Sequence, residues 1–130
     1  MRNASRGLVA LVGLFTLLLG LGFLIDPAKL GAKFFLAATT PQGLATMRAD
    51  FPALFLTGAA FAFYGAWRGR AEPLLVPLAL LSVALAGRFV SLALDGASAD
   101  AFPPMIAEGV MVAILFLGRR ALLSRAEDQT

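Results

Sequence analysis

Hydrophobic residues in this chain gather in four long runs, which short polar and charged segments separate. The first run, residues 7–25, carries no charge, and the third, residues 74–94, carries one, Arg88. A helix needs about 20 residues to cross a hydrocarbon core about 30 Å thick. The pattern predicts an all-α polytopic membrane protein, a single domain of four transmembrane helices. Their expected positions are about 7–25, 49–67, 74–94 and 104–123.

The composition supports this class of protein. Of 130 residues, 59% are hydrophobic and 15% are charged, whereas a soluble domain usually has about 25% charged residues. The net charge of +3 comes from basic residues between the apolar runs, which favours a membrane surface over nucleic acid as the partner. The first run is longer than the apolar core of a signal peptide and lacks a clear cleavage site, so we expect a retained helix.

The basic residues predict the orientation of the helices. Seven of them fall on one side of the membrane: Arg2, Arg6, Arg68, Arg70, Arg119, Arg120 and Arg125. The other side has three: Lys29, Lys33 and Arg48. Because cytoplasmic segments of membrane proteins are enriched in Lys and Arg, both termini are expected in the cytoplasm. The segments 26–47 and 95–103 would then face outward, and residues 30–37 either lie along the interface as a short amphipathic piece or form an irregular loop.

The chain has no Cys and no His. This composition excludes disulfides, the usual zinc sites and His-ligated haem, and it removes the commonest general base at neutral pH. We therefore expect no enzymatic activity, no cofactor and no bound metal.

Charged residues of the apolar runs concentrate toward the predicted outer side. Arg88, Ser91 and Asp95 lie on one face of the third helix, with Asp95 about 10 Å further out than Arg88, and Glu108 lies at a similar depth in the fourth helix. Because an unpaired charge in hydrocarbon costs roughly 2.5–3.5 kcal/mol on insertion scales, we predict an ion pair between Arg88 and Glu108. The complete predicted charge cluster is Arg48, Asp50, Arg88, Ser91, Asp95 and Glu108, with Asp95 or Asp50 as a second acceptor for Arg88.

This cluster allows several functions. It could be a structural clasp that fixes helix order, or it could line an outward-facing pocket that binds a lipid head group or a small polar or anionic molecule. A proton-coupled carrier is a third possibility, although the inner half has no matching carboxylate. Small residues at helical spacing could instead serve contacts in a homo-oligomer or a larger membrane complex.

Four sequence elements resemble the bacterial membrane family catalogued as domain of unknown function 4345. They are LIDP (Leu24–Pro27), MRADF (Met47–Phe51), GRFVSLALDG (Gly87–Gly96) and IAEG (Ile106–Gly109). The chain departs from the family at Pro52 and Ala53, where members tend to have two small residues. The resemblance covers nearly the whole chain and implies a four-helix protein of the bacterial inner membrane, without specifying an activity.

The orientation can be tested with single cysteines, since the chain has none of its own. We expect Ser98→Cys to react with a membrane-impermeant maleimide added outside intact cells, because it lies in an outward segment. Ser124→Cys, beyond the last apolar run, should react only after the membrane is opened. The reverse labelling pattern would contradict the predicted orientation.

Overall fold

Nearly all of the described chain is α-helical. The computed structural model describes residues 2–127 and the side chains of residues 3–124; the side chains of Arg2 and Arg125, which enter the charge count, lie outside them. The helices are α1 (Arg2–Ile25), α2 (Pro27–Lys33), α3 (Pro41–Arg68), α4 (Leu75–Asp95) and α5 (Phe102–Glu127). The helices α1, α3, α4 and α5 are long and apolar enough to cross a membrane. The predicted all-α fold with four spans is confirmed.

Helix α3 begins eight residues before the predicted start at residue 49. Its first turn is capped by Thr40, whose hydroxyl accepts a hydrogen bond from the Gly43 amide at 3.1 Å, and Pro41 occupies the first helical position, where proline is well tolerated. Most of the predicted outer loop therefore belongs to α2 and to the first turns of α3. A search for apolar runs misses these turns because residues 41–50 are largely small or polar.

The prolines of this chain are expected in the first turn of a helix, where proline is tolerated, and for Pro52 this prediction is wrong. Pro52 lies buried inside α3, where its missing amide removes one hydrogen bond from the helix backbone. The other prolines expected at helix starts lie where predicted, in the short turn before α4 or in the first turns of α4 and α5.

The four long helices form a ring. Helix α1 packs against α3 and α5, and α4 packs against the same two helices. Each long helix therefore runs antiparallel to its two neighbours in the ring. The half of the bundle near the chain termini, called here the inner half, has a continuous core that includes the fully buried Ala62, Leu74 and Leu115. The opposite half, where α1 ends and α3 begins, is called the outer half, after its predicted position.

Two arginines tie α1 to α3, one at each end of the pair. Arg6, near the start of α1, donates hydrogen bonds to the carbonyl oxygens of Ala66 and Trp67 at the end of α3. Arg48, in α3, donates from Nε to the carbonyl oxygen of Leu24 at the end of α1, at 3.2 Å. The last carbonyls of a helix have no partner within the helix, and a cation there also complements the helix dipole. These two contacts are called the arginine caps below.

Small residues let α1 and α3 approach closely. A Cβ atom added to Gly20 would lie 2.6 Å from Cδ2 of Leu56, and one added to Gly13 would lie 3.2 Å from the ring of Phe63. The expected small-residue stripe of α1 therefore faces α3. In α4, by contrast, Ala79 and Ala86 are exposed on the outside of the bundle, the position that the alternative role of small residues, contact with another subunit, would use.

The segment after α1 begins with a helix, α2, which includes residues 30–33 of the piece 30–37, whereas residues 34–37 form the turn and the irregular chain that follow it. Asp26 caps α2 by accepting a hydrogen bond from the Lys29 amide. At the other end, the amides of Phe35 and Leu36 donate to the carbonyls of Ala32 and Gly31, which is the Schellman pattern of helix termination. Phe35 occupies the left-handed position of this motif with a φ of 59°, where glycine is the usual residue.

Replacing Phe35 tests the strain in this turn. A left-handed conformation costs a residue with a Cβ atom about 1–2 kcal/mol, and the greater freedom of glycine in the unfolded chain offsets roughly 0.5–1 kcal/mol of that. We expect Phe35→Gly to raise the free energy of unfolding in detergent by about 0.5–1 kcal/mol over Phe35→Ala. Both variants remove the ring, so equal stabilities would contradict the strain.

Candidate functional site

A cavity of about 470 Å³ opens among the four long helices in the outer half. Residues of α1, α3, α4 and α5 line it, together with two residues of the segment between α2 and α3, Phe34 and Leu36. Leu81 and Met111 belong both to its wall and to the inner-half core, so the packed core closes its inner end. This space is called the outer-half cavity.

Aromatic rings form much of the cavity wall. Phe23 is almost fully buried and stacks on Phe51, with ring centroids 4.6 Å apart, and on Phe55, at 6.0 Å. The ring of Phe34 contacts Phe23 from the side of α2, at 5.7 Å. Such contacts fix ring positions and add to the stabilisation from burial, so the wall is preformed and apolar.

The predicted ion pair between Arg88 and Glu108 is present. Nε of Arg88 donates to Oε2 of Glu108 at 2.7 Å, a short distance typical of charged partners. The Glu108 side chain is 13% exposed and that of Arg88 is 36% exposed. Both residues also line the outer-half cavity, so the pair joins α4 to α5 and gives the cavity its charged groups. The structure therefore has both the direct ion pair that a structural clasp requires and the cavity that a binding pocket requires.

The ion pair leaves hydrogen-bonding capacity free. A guanidinium has five N–H donors and a carboxylate has two acceptor oxygens. Within the described residues, Arg88 donates only from Nε, and Glu108 accepts only at Oε2. The two terminal nitrogens of Arg88 and Oε1 of Glu108 are therefore available to a molecule in the cavity.

The structure does not bring the rest of the predicted charge cluster to this pair. Arg48 caps α1 instead, and Asp50 lies exposed well inside α3, not at its start. Ser91 and Asp95 are exposed toward the outer end of α4. Neither Asp50 nor Asp95 forms an ion pair with Arg88 in the described part of the chain, so the predicted second acceptor is not found.

Sequence reasoning missed the aromatic wall. Phenylalanine occurs in every apolar segment of this chain, and rings that line a cavity cannot be told from rings that face lipid by spacing alone. Phe34 also lies outside the predicted spans. Only the position of Glu108, close in depth to Arg88, pointed to this part of the bundle.

The four long apolar helices indicate a multi-pass α-helical membrane protein, and the outer-half cavity is its candidate site. No family model, curated protein or solved structure matches the chain. Membership of the family of domain of unknown function 4345 therefore stays a prediction.

Removing one partner of the ion pair should destabilise the protein. An unpaired charge that is partly buried costs more than a surface pair contributes, and we expect Glu108→Leu or Arg88→Leu to lower the free energy of unfolding by on the order of 2 kcal/mol. The double variant, in which no charge remains unpaired, should recover most of this loss. Unfolding in detergent measures all three.

The control for the ion-pair variants is Asp95→Asn, because Asp95 is exposed on the same helix as Arg88. We expect it to change stability by less than about 0.5 kcal/mol. If the double variant lost as much free energy of unfolding as the sum of the two single losses, Arg88 and Glu108 would act independently.

Proposed function

We propose that this chain is a non-enzymatic, multi-pass protein of the bacterial inner membrane that binds a lipid-like amphiphile in the outer-half cavity. The apolar part of the ligand lies among the aromatic rings, and its head lies at Arg88 and Glu108. The observation that carries the proposal is a preformed apolar cavity whose only charged lining groups, within the described residues, are this one ion pair. Ligand pockets commonly combine apolar walls with few polar groups.

The outer-half cavity also reaches the surface that would face lipid. Phe15, Leu54, Ala84 and Ala107 line it and are at the same time exposed on the outside of the bundle. A molecule dissolved in the bilayer could therefore pass between the helices without crossing water. This access favours a membrane-soluble ligand over a small polar metabolite.

A carrier would need a path that connects the outer-half cavity to the inner end of the bundle. A second, shallower groove near the inner end is lined by residues of α1 and α3, among them Arg6, Tyr64 and Trp67. It shares no lining residue with the outer-half cavity, and the buried inner-half core lies between the two. The proton-coupled carrier thus gains no support from a continuous path.

An interaction subunit is the second candidate. Ala79, Ala86 and Gly87 are exposed on α4, and a Cβ atom added to Gly87 would meet nothing within 4 Å. Small exposed residues allow close approach of another helix in lipid. By contrast, Gly58 and Ala62 are buried in the bundle, so the stripe of α3 is not free for a partner.

A cavity-filling variant tests the proposed function. Ala84→Phe adds a ring at the open wall of the outer-half cavity, whereas Ala86→Phe, two residues further along α4, adds the same ring at an exposed position that does not line the cavity. We expect native mass spectrometry of the purified full chain to show a retained amphiphile in the parent protein and in Ala86→Phe. Ala84→Phe should retain at least about fivefold less, a loss equivalent to about 1 kcal/mol of binding.

If Ala84→Phe and Ala86→Phe retained the amphiphile equally, binding in the cavity would be contradicted. The same spectra address the second candidate, since an interaction subunit would appear with the added mass of a second copy or a partner. In that case Ala86→Phe, and not Ala84→Phe, should remove the added mass.

A further inference from the structure

We infer that the occupant of the outer-half cavity is an uncharged single-chain lipid with hydroxyl groups on its head, of the monoacylglycerol type. The inference rests on the proposed function and adds the chemical class of the ligand. It follows from the charge of the Arg88–Glu108 pair, from the hydrogen-bonding groups that the pair leaves free, and from the volume of the cavity.

The charge at the site argues against an anionic head. Arg88 and Glu108 carry opposite formal charges and are in direct contact at 2.7 Å, so together they add no net charge to the cavity. The other cations of the outer half, Lys29, Lys33 and Arg48, do not line the cavity, and Arg48 is engaged with the Leu24 carbonyl. An anionic head would meet the carboxylate of Glu108 at close range, and placing like charges together in a desolvated site is unfavourable.

The free hydrogen-bonding groups fit a head that both accepts and donates. The terminal nitrogens of Arg88 can only donate, and Oε1 of Glu108 can only accept while the carboxylate is ionised. An ester carbonyl or a hydroxyl oxygen would satisfy Arg88, and a neighbouring hydroxyl would donate to Glu108. A fully ionised phosphate or a carboxylate offers acceptors alone and would leave Oε1 of Glu108 without a donor.

The cavity volume limits the apolar part of the ligand. If each methylene takes about the 30 Å³ share of a water molecule, a cavity of about 470 Å³ holds roughly fifteen such groups. This is about one hydrocarbon chain, and the second chain of a phospholipid would have to lie outside the cavity. Wall residues that are also exposed, such as Leu54 and Ala84, give a single chain its access from the bilayer.

Two lipids with hydrocarbon chains of equal length but different head groups test whether the site prefers an uncharged head. Monopalmitoylglycerol is uncharged, and hexadecyl phosphate carries an anionic head on a chain of the same length. We expect the delipidated full chain in detergent to bind the glycerol ester at least about tenfold more tightly than the phosphate. Native mass spectrometry with both lipids present at equal concentration gives the ratio directly.

The variant Glu108→Gln should reverse this preference. It leaves the charge of Arg88 uncompensated and removes the acceptor-only carboxylate, so the phosphate should now bind at least as tightly as the glycerol ester. Asp95→Asn removes an exposed carboxylate from the same end of α4 and should leave the preference unchanged. If Glu108→Gln does not fold, the ratio of the two lipids bound to the parent protein still decides whether the site prefers an uncharged head.

The outcomes separate the two proposals. If the phosphate binds the parent protein as tightly as the glycerol ester, and Ala84→Phe weakens both, the cavity binds amphiphiles and the inference about the head is wrong. If neither lipid binds, or if Ala84→Phe changes neither, the proposed function itself is wrong. Retention of bilayer phospholipids with two chains in the cavity would also overturn the single-chain inference.

Discussion

The ion pair between Arg88 and Glu108 determines how the outer half of this bundle can be built. A charge within a membrane-spanning helix must face a partner or water, and here each of two neighbouring helices supplies one charge. The pair therefore fixes the rotation of α4 and α5 relative to each other. Its position beside an apolar cavity means that the same contact can stabilise the fold and receive a ligand.

The two halves of the bundle are stabilised differently. Close packing fills the inner half around Ala62, Leu74 and Leu115, whereas the outer half contains a cavity with an aromatic wall and an ion pair at its border. The arginine caps secure α1 and α3 at both of their ends. The helices α1 and α3 thus form a fixed support, against which the outer ends of α4 and α5 define the shape of the site.

The sequence was sufficient for the four spans and for the Arg88–Glu108 contact, because hydrocarbon imposes strict rules on length and on unpaired charge. It was insufficient where those rules do not apply. The early start of α3 depends on a local cap at Thr40. The arginine caps use backbone carbonyls, which every residue carries, so no pattern of side chains marked Leu24 as the partner of Arg48. The cavity likewise depends on how far the helices separate, which residue spacing does not report.

The separation of the pair along the chain has a consequence for biosynthesis. Arg88 precedes Glu108 by 20 residues, and a ribosome adds about 5–20 residues per second, so roughly 1–4 s pass between the appearance of the two side chains. In the first hairpin, Arg6 also precedes its partner, since Ala66 follows it by 60 residues, but Arg6 lies just before the predicted span 7–25 and not within it. During that interval the guanidinium of the third span needs water, a lipid phosphate or the insertion machinery, and the nascent protein completes its membrane integration only when the fourth span arrives.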